Sequence, residues 1–357
     1  MSVEFLTGFP GFIGRRLARR LLDGDPEARL VALVEERMLG EAQKAAEAID
    51  RERIEVLVGD IADRRLGLSG EDYERLRSET TRVFHLAAVY DLSVRVELAQ
   101  RVNVDGTGNV LELCAGAERL ERLVYVSTAY VAGLRRGVVY EHELVMGQGF
   151  KNHYESTKFQ AEVWVRQLID RVPMTILRPA IVVGDSQTGE TQKFDGPYYL
   201  LRAISLADRM NQPMAHFGRL DTPFNVVPVD YVVDAIATAA GLPETVGETL
   251  HLVDPEPLSS GELLAVLSER YGARPPRGRI PPAAVTAALR LSPVSRRFGN
   301  TPHESIAYLN HPVVFDMRRA VDLLGERGLA PPSFADYAGT LVEFFKEHER
   351  DPAFMPG

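Results

Sequence analysis

Short apolar segments alternate with amphipathic helical segments through the first half of the chain, and this alternation most constrains the fold. Strands are predicted at residues 3–7, 29–34, 54–60, 82–88, 122–128 and 174–179. Apolar, β-branched strands separated by helices are typical of a parallel sheet that is covered by helices on both faces. We therefore predict an α/β fold with a Rossmann-type, doubly wound parallel sheet.

The pattern changes after residue 184. Residues 185–225 are rich in glycine, proline and aromatic residues, a strand-then-helix pattern resumes over 226–254, and the rest is mostly helical with proline-rich breaks. We predict a dinucleotide-binding domain from residues 1–184 plus 226–254. A smaller, mostly helical substrate-binding lobe is expected from residues 185–225 plus 255–357.

Charge and composition narrow the class of protein. The 357 residues carry a formal net charge of -9, which disfavours a nucleic-acid partner because such partners favour a basic face. The lone cysteine, Cys114, cannot form an internal disulfide or a cysteine-based metal site, so we expect no metal. No apolar stretch of about 18 residues is present, so no transmembrane segment is expected. We expect a cytoplasmic protein.

Three glycines, Gly8, Gly11 and Gly14, follow the first predicted strand in the segment TGFPGFIG, and a helix follows them. In dinucleotide-binding folds such glycines allow a tight turn, a close backbone approach to a pyrophosphate, and close packing of helix on strand. The helix N-terminus favours an anion. The alternative is a plain strand–turn–helix whose glycines serve packing alone.

The end of the second predicted strand should lie at the adenosine ribose of such a cofactor. Glu35 follows Gly14 by 21 residues, a spacing at which a carboxylate binds the ribose 2′-hydroxyl of NAD. Arg37 lies two residues later and is suited to the 2′-phosphate of NADP. Asp60, at the end of the third strand, is suited either to the adenine amino group or to capping the next turn.

A candidate catalytic pair lies in the segment NHYESTKFQAE. Tyr154 and Lys158 are four residues apart and so project from one face of a helix. A nearby ammonium is expected to lower the pKa of the phenol, which then exchanges a proton with a carbonyl oxygen. Thr128 ends the fifth predicted strand, and its hydroxyl is placed to bind the same oxygen.

At these residues the chain resembles the extended short-chain dehydrogenase/reductases. The resemblance rests on TGFPGFIG, GDI, HLAA, NVDGTGNVLE, YVSTAYVAG, YESTK, LRPAIVVGD and FNVVPVDYVVDAI. It implies a nicotinamide cofactor and a catalytic triad of Thr128, Tyr154 and Lys158. It also implies that Asn103 and Thr107 brace the centre of the sheet. The implied cofactor-binding residues are Thr7, Gly8, Phe9, Gly11, Phe12, Ile13, Gly14, Glu35, Arg37, Asp60, Ile61, Leu86, Ala87, Ala88, Asn103, Tyr154, Lys158 and Pro179.

Within that superfamily the segment STAYV is most similar to the male-sterility group, which includes fatty acyl-CoA reductases and thioester reductase domains. This resemblance implies reduction of an acyl thioester, held on coenzyme A or a carrier protein, to an aldehyde or alcohol. NADP(H) is the implied cofactor, although Glu35 stands where those reductases usually have arginine, and NAD(H) is the alternative. A homodimer is a family expectation.

Other functions are compatible with the same scaffold. They are a ketone or aldehyde reductase, an alcohol dehydrogenase, a sugar-nucleotide-modifying enzyme and, from a different class, a non-catalytic dinucleotide sensor. A sensor is disfavoured because Tyr154 and Lys158 are both present. Six aromatic residues are candidates either for the wall of a substrate pocket or for the core: Tyr130, Phe150, Phe194, Tyr198, Tyr199 and Phe224. We expect His85 to pack in a strand and His153 to face solvent.

Overall fold

The computed structural model describes residues 2–90, 94–298 and 301–355. The strands are β1 (Val3–Thr7), β2 (Arg29–Val34), β3 (Ile54–Val58), β4 (Arg82–His85), β5 (Arg122–Val126), β6 (Gly137–Val139), β7 (Met174–Pro179), β8 (Ile181–Val183), β9 (His216–Phe217), β10 (Val226–Pro228), β11 (Thr249–Leu252), β12 (Arg279–Ile280) and β13 (Val313–Phe315).

The α-helices are α1 (Phe12–Gly24), α2 (Leu39–Ile49), α3 (Gly70–Glu79), α4 (Val96–Ala99), α5 (Gly106–Gly116), α6 (His153–Gln167), α7 (Tyr198–Arg209), α8 (Val229–Gly241), α9 (Ser260–Tyr271), α10 (Pro282–Leu289), α11 (Ser292–Arg297), α12 (Ser305–Tyr308), α13 (Arg318–Ala320) and α14 (Phe334–His348). A π-helical turn, Gln100–Asp105, joins α4 to α5. In the described part of the chain, none of the helices is long and apolar enough to cross a membrane.

Seven strands form one sheet in the order β11-β7-β5-β4-β1-β2-β3. Every neighbouring pair in it is parallel, so the predicted parallel α/β sheet is confirmed. The chain leaves β1 toward β2 on one side and returns beside it as β4 on the other. Ligands of such sheets bind where the strand order reverses, at the carboxyl ends of the strands. The carboxyl end of β1 is therefore the expected binding position.

The strands are buried on both faces because alternate side chains enter two different core layers. Along β1, Leu6 joins the layer that contains α1 and α8, whereas Phe5 joins the layer that contains α5 and α6. Both side chains are fully buried. This explains why most residues of the central strands are apolar on both faces rather than alternating with polar residues.

A third apolar core lies outside the sheet. It joins α7 to α9 and α14 through Phe194, Leu201, Leu263, Phe334 and Phe345. The segment around β13 behaves differently, because β13 pairs with β6 and its Phe315 belongs to the first core layer. Helices of the predicted lobe thus share this third core, which Val183 and Val226 of the predicted dinucleotide-binding domain also join, and the domain division stays a prediction.

β4 ends at His85, earlier than the predicted 82–88. The reason is local: the backbone N–H groups of Leu86 and Ala87 both donate to the Thr7 hydroxyl, at 3.2 Å each, instead of to a neighbouring strand. The chain therefore turns away from the sheet here and opens the space above the end of β1.

Candidate active site

The glycine segment forms a tight turn between β1 and α1. Gly8 has a φ of +91°, which side chains rarely tolerate. A Cβ atom on Gly14 would lie 2.4 Å from the Gly8 carbonyl oxygen, and one on Gly11 would lie 2.9 Å from the same atom. No side chain caps the first N–H groups of α1. The glycines therefore let the turn pack closely against its own backbone, and the uncapped N–H groups at the start of α1 fit a pyrophosphate.

A cavity of about 1310 Å³ begins at this turn and extends into the second lobe. Most of the residues implied by the resemblance line it. They are Gly8, Phe9, Gly11, Phe12, Ile13, Gly14, Glu35, Arg37, Asp60, Ile61, Leu86, Ala87, Ala88, Thr128, Tyr154, Lys158 and Pro179. Thr7 and Asn103 do not line it.

Thr7 lies behind the cavity wall rather than in it. Its side chain is fully buried, and its Oγ1 lies 2.7 Å from His85 Nδ1. The other ring nitrogen of His85 lies 3.0 Å from the Thr107 hydroxyl. Burial, with a smaller effect of the Lys158 charge, lowers the pKa of His85 to about 3, so the ring is neutral. His85 thus links the end of β1 to α5, beyond the packing role expected from the sequence.

Asn103 holds the loop that follows β4. Its Oδ1 accepts from the Val89 N–H at 2.8 Å, and its Nδ2 donates to the Thr157 hydroxyl on α6 at 3.0 Å. The amide is therefore hydrogen-bonded within the protein, where it ties the loop after β4 to α6. Thr107 donates to the Asn103 carbonyl at 2.7 Å, which ties the two residues together.

At the end of the cavity beside β2, Glu35 and Arg37 form an ion pair with Arg37 Nε and Glu35 Oε2 2.7 Å apart. Both side chains are largely exposed, with 43% and 75% of their areas accessible. Asp60 caps the following turn, because its Oδ1 accepts from the Ala62 N–H at 2.8 Å. Both of the roles expected for Asp60 remain compatible with this position, since the residue also lines the cavity.

The three candidate catalytic residues meet at one place on the cavity wall. Tyr154 and Lys158 lie on α6, which begins where the Asn152 side chain accepts from the Glu155 N–H. Thr128 follows β5, and its hydroxyl donates to the Pro179 carbonyl at 3.4 Å. The ammonium of Lys158 donates to the Val126 carbonyl at 2.9 Å.

The pKa of the Tyr154 phenol differs from the sequence-based prediction. Burial raises it well above its ordinary value, and a hydrogen bond with the Thr128 side chain opposes this only in part. The ammonium of Lys158 donates to the Val126 carbonyl and lies 4.5 Å from the centre of the Tyr125 ring. Tyr154 is therefore protonated at neutral pH, the form required to donate a proton.

A buried ionic network behind Lys158 escaped the sequence analysis. Glu162 is fully buried one helical turn beyond Lys158 and accepts from Ser127 Oγ at 2.6 Å and from Arg178 Nη2 at 2.6 Å. Burial opposes ionisation, but Arg178 and Arg166 hold the pKa of Glu162 below its usual value. Burial lowers the pKa of Lys158 to about 7, and the Glu162 charge limits this drop. An arginine inside the apolar strand β7 was the available sequence signal.

Two further residues of the cavity were also missed. The ring of Tyr90 packs edge-on against that of Tyr154, with the ring centres 5.1 Å apart. Asp195 precedes α7 and faces the same space. Both lie in segments without regular structure, so no periodic pattern marks them.

The six aromatic candidates divide equally. Tyr130, Tyr199 and Phe224 line the cavity, whereas Phe150, Phe194 and Tyr198 do not. His153 is exposed, as expected, and Cys114 is buried. The lobe end of the cavity has mostly apolar walls, although His303 and Glu304 also line the cavity; the apolar residues include Met214, Phe217, Phe224, Val285, Leu289 and Leu309. Among the described residues, no group of three or more His, Cys, Asp or Glu side chains is arranged to hold a metal ion.

Comparison with known proteins agrees with this geometry. The family described as male sterility protein matches residues 6–236. A fatty acyl-CoA reductase of Drosophila melanogaster, wat, is 25% identical over 66% of this chain and 53% of its own length. A non-canonical nonribosomal peptide synthetase of a Cladobotryum species is 29% identical over 70% of this chain and 26% of its own length. The chain thus spans about half, or about a quarter, of these relatives.

Among solved structures, the terminal R domain from the myxalamid PKS-NRPS biosynthetic pathway superposes with a TM-score of 0.83. It is 28% identical, and the match covers 99% of this chain and 92% of that one. The family match covers well over half of the chain and includes the glycine turn, Thr128, Tyr154 and Lys158. The chain therefore belongs to the male sterility protein family, an NAD-binding group of the extended short-chain dehydrogenase/reductases.

Proposed function

We propose that this chain reduces an acyl thioester, carried on coenzyme A or on a carrier protein, to an aldehyde or alcohol, with NADP(H) as the cofactor. One observation carries the proposal. Thr128, Tyr154 and Lys158 lie between a glycine turn suited to a dinucleotide and an apolar region suited to an acyl chain. The domain division at residues 1–184 plus 226–254 and 185–225 plus 255–357 belongs to the same proposal.

The chain's own residues divide the work of holding the two reactants. The turn at Gly8, Gly11 and Gly14 would hold the pyrophosphate, Glu35 and Arg37 the adenosine ribose, and Lys158 the nicotinamide ribose. A reduced nicotinamide supplies a hydride when it is bound. The loop Leu86–Ala88 and Pro179 complete the wall on either side.

Tyr154 donates a proton to the carbonyl oxygen of the thioester as the carbonyl carbon gains a hydride. Thr128 binds the same oxygen and so stabilises the negative charge that develops on it. The addition gives a hemithioacetal; its hydroxyl then loses the proton, the carbon–sulfur bond breaks, the departing thiolate takes up that proton, and an aldehyde forms. Tyr154 is the donor because burial keeps its hydroxyl protonated at neutral pH.

The direct test is nicotinamide absorbance on mixing the protein with NADPH or NADH and a panel of acyl-CoA thioesters, aldehydes and ketones. Oxidation that requires the thioester supports the proposal, with one free thiol released per NADPH oxidised for an aldehyde product and one per two NADPH for an alcohol. Oxidation with aldehydes or ketones alone would contradict it and indicate a carbonyl reductase. Tight cofactor binding without any turnover would indicate a dinucleotide sensor.

Cofactor choice depends on the Glu35–Arg37 pair. We expect Arg37→Gln to weaken NADPH binding about tenfold and to leave NADH binding nearly unchanged, because the guanidinium is the partner available to a 2′-phosphate. Glu35→Gln should strengthen NADPH binding, since it removes a charge that repels the phosphate. Dissociation constants come from titration of nicotinamide fluorescence.

The matched control for this experiment is Arg51→Gln. Arg51 is also an exposed arginine beside a carboxylate, Glu47, but it does not line the cavity. Equal weakening of NADPH and NADH by Arg37→Gln would show that the pair does not distinguish the two cofactors.

The Lys158 charge predicts a pH dependence. Because the pKa of Lys158 is lowered to about 7, its ammonium is present below that pH and is lost as pH rises through it. We expect kcat/KM, which reports on the free enzyme, to fall above about pH 7. Glu162→Gln removes an anion that favours the ammonium, so the fall should move to lower pH.

Two comparisons separate this effect from structural damage. Ser127→Ala removes one hydrogen bond to Glu162 but keeps the charge, so the fall should stay where it is in the wild type. Glu112→Gln makes the same chemical change at an exposed position of α5 and should also leave the profile unmoved. If the pH profile of Glu162→Gln were identical to that of the wild type, the Glu162 charge would not support the Lys158 ammonium.

A further inference from the structure

We propose that Tyr308 is a positioning residue for the proton donor Tyr154 and that it acts through Asn152, the residue that caps α6. This inference rests on the proposed function, in which Tyr154 protonates the carbonyl oxygen. Tyr308 belongs to the predicted substrate-binding lobe. The active site would therefore be complete only when the lobe is in place against α6.

Asn152 joins the start of α6 to the lobe. Its Oδ1 accepts from the Glu155 N–H at 2.9 Å and so caps the helix. Its Nδ2 donates to the Tyr308 hydroxyl at 2.8 Å, across 156 positions of the chain. Tyr154 lies in the first turn of the helix, two residues after Asn152. The orientation of this turn therefore determines where the Tyr154 hydroxyl points.

A buried ion pair makes the same turn rigid. The Lys151 ammonium donates to Glu155 Oε1 at 3.1 Å and to the Gly133 carbonyl at 2.8 Å. The backbone N–H of Lys151 donates to the other carboxylate oxygen of Glu155 at 3.0 Å. The Glu155 side chain is fully buried, and that of Lys151 is 3% exposed. The segment on which Tyr154 lies is thus held as one unit, so a displacement of its start displaces the phenol as well.

The Tyr308 ring packs on this unit. Its centre lies 5.1 Å from the Lys151 ammonium nitrogen and 5.1 Å from the centre of the Tyr130 ring, which it meets edge-on. Tyr130 and Tyr308 both line the cavity. Ring packing brings the lobe and α6 together, and the hydrogen bond to Asn152 adds orientation, because its strength depends on angle as well as on distance.

The lobe anchors α12, which ends at Tyr308. Leu309, the next residue, is buried in the third core. Asn310 donates from Nδ2 to the Ile306 carbonyl at 2.8 Å, and its Oδ1 accepts from the Arg219 N–H at 2.9 Å. Tyr308 is therefore held from its own side and gives α6 a fixed point of attachment.

The experiment measures the single-turnover rate and the KM for octanoyl-CoA, with saturating NADPH, in Tyr308→Phe, Asn152→Ser and the double variant. Phenylalanine keeps the ring and loses the hydroxyl, whereas serine still caps α6 but is too short to reach Tyr308. We expect the rate to fall about tenfold in each single variant, because a misplaced donor slows proton transfer, while KM and NADPH affinity stay within about twofold. The double variant should lose no more than either single one, because both substitutions remove the same bond.

Tyr337→Phe is the matched control. Tyr337 is a buried tyrosine of α14 in the third core, and it does not line the cavity. Its hydroxyl has no hydrogen-bond partner among the described residues, so the substitution should leave the rate and both affinities unchanged. A wild-type rate in Tyr308→Phe, or losses that multiply in the double variant, would overturn the inference.

Hydrogen–deuterium exchange provides a readout that does not depend on turnover. Amide exchange in residues 153–160 should be faster in Tyr308→Phe than in the wild type, and unchanged in Tyr337→Phe, because the lost bond loosens the start of α6. If the wild type reduces octanoyl-CoA but neither exchange nor rate responds to Tyr308→Phe, the inference fails and the proposed function stands. If the wild type reduces octanal but not octanoyl-CoA, the proposed function fails. The same variants measured with octanal then decide the inference, since Tyr154 would protonate either carbonyl.

Discussion

Replacing Tyr154 by phenylalanine is expected to lower kcat for thioester reduction by about a thousandfold. The substitution removes only the hydroxyl, which is the group placed to protonate the carbonyl oxygen. The ring, its contact with Tyr90 and the position of α6 are retained, since phenylalanine fills the same volume. Cofactor affinity should therefore stay within about twofold, which separates a chemical defect from a binding defect.

The control for this experiment is Tyr140→Phe. Tyr140 is an exposed tyrosine that does not line the cavity, so the same atom is removed where no chemistry is proposed. Single-turnover measurements with saturating NADPH and thioester report the chemical step directly. A Tyr154→Phe protein that retains more than about a tenth of the wild-type rate would assign the proton to another donor.

The fold was predictable because its signals are local. A buried parallel strand needs apolar residues on both faces, and the segment RLVALV at β2 shows this pattern in the sequence. The glycine turn was legible for a related reason. At Gly8 any other residue would have to adopt a positive φ, and at Gly14 a Cβ atom would collide with a carbonyl oxygen. Glycine at these two positions therefore indicates the geometry of the turn.

The electrostatics of the site were not predictable in the same way. The spacing of Tyr154 and Lys158 shows that they share a helix face, but it does not show which group the ammonium meets. The ammonium meets the Val126 carbonyl and the Tyr125 ring. Burial is the largest cause of the pKa shifts of both Tyr154 and Lys158. Those partners come from β5, which is remote from α6 in the sequence.

The substrate end of the site was the least predictable part. Asp195 is one carboxylate in an irregular segment, and only tertiary packing shows that it lines the cavity. The same holds for the aromatic candidates, where Tyr199 lines the cavity and its neighbour Tyr198 enters the core. The sequence identifies these aromatic residues as candidates, but only the packing shows which of them line the cavity and which lie in the core.

Replacing Gly14 by alanine is expected to weaken cofactor binding about a hundredfold and to destabilise the protein by about 2 kcal/mol. The new Cβ would lie 2.4 Å from the Gly8 carbonyl oxygen, and the nearest atoms are backbone, so the turn itself must move. Movement of the turn displaces the first N–H groups of α1, which are the donors proposed for the pyrophosphate. Nicotinamide fluorescence titration measures the affinity, and urea unfolding measures the stability.

Gly40→Ala provides a matched control of opposite sign. Gly40 lies in the first turn of α2, and a Cβ there meets nothing within 4 Å. Alanine should therefore stabilise the protein by about 0.5–1 kcal/mol and leave cofactor affinity unchanged, because it lowers the entropy of the unfolded chain. If Gly14→Ala destabilises the fold but binds NADPH as tightly as the wild type, the glycine turn is needed for helix–strand packing and is not the pyrophosphate site. If the free energy of unfolding and the NADPH affinity both fall, helix–strand packing and cofactor binding depend on the same backbone geometry.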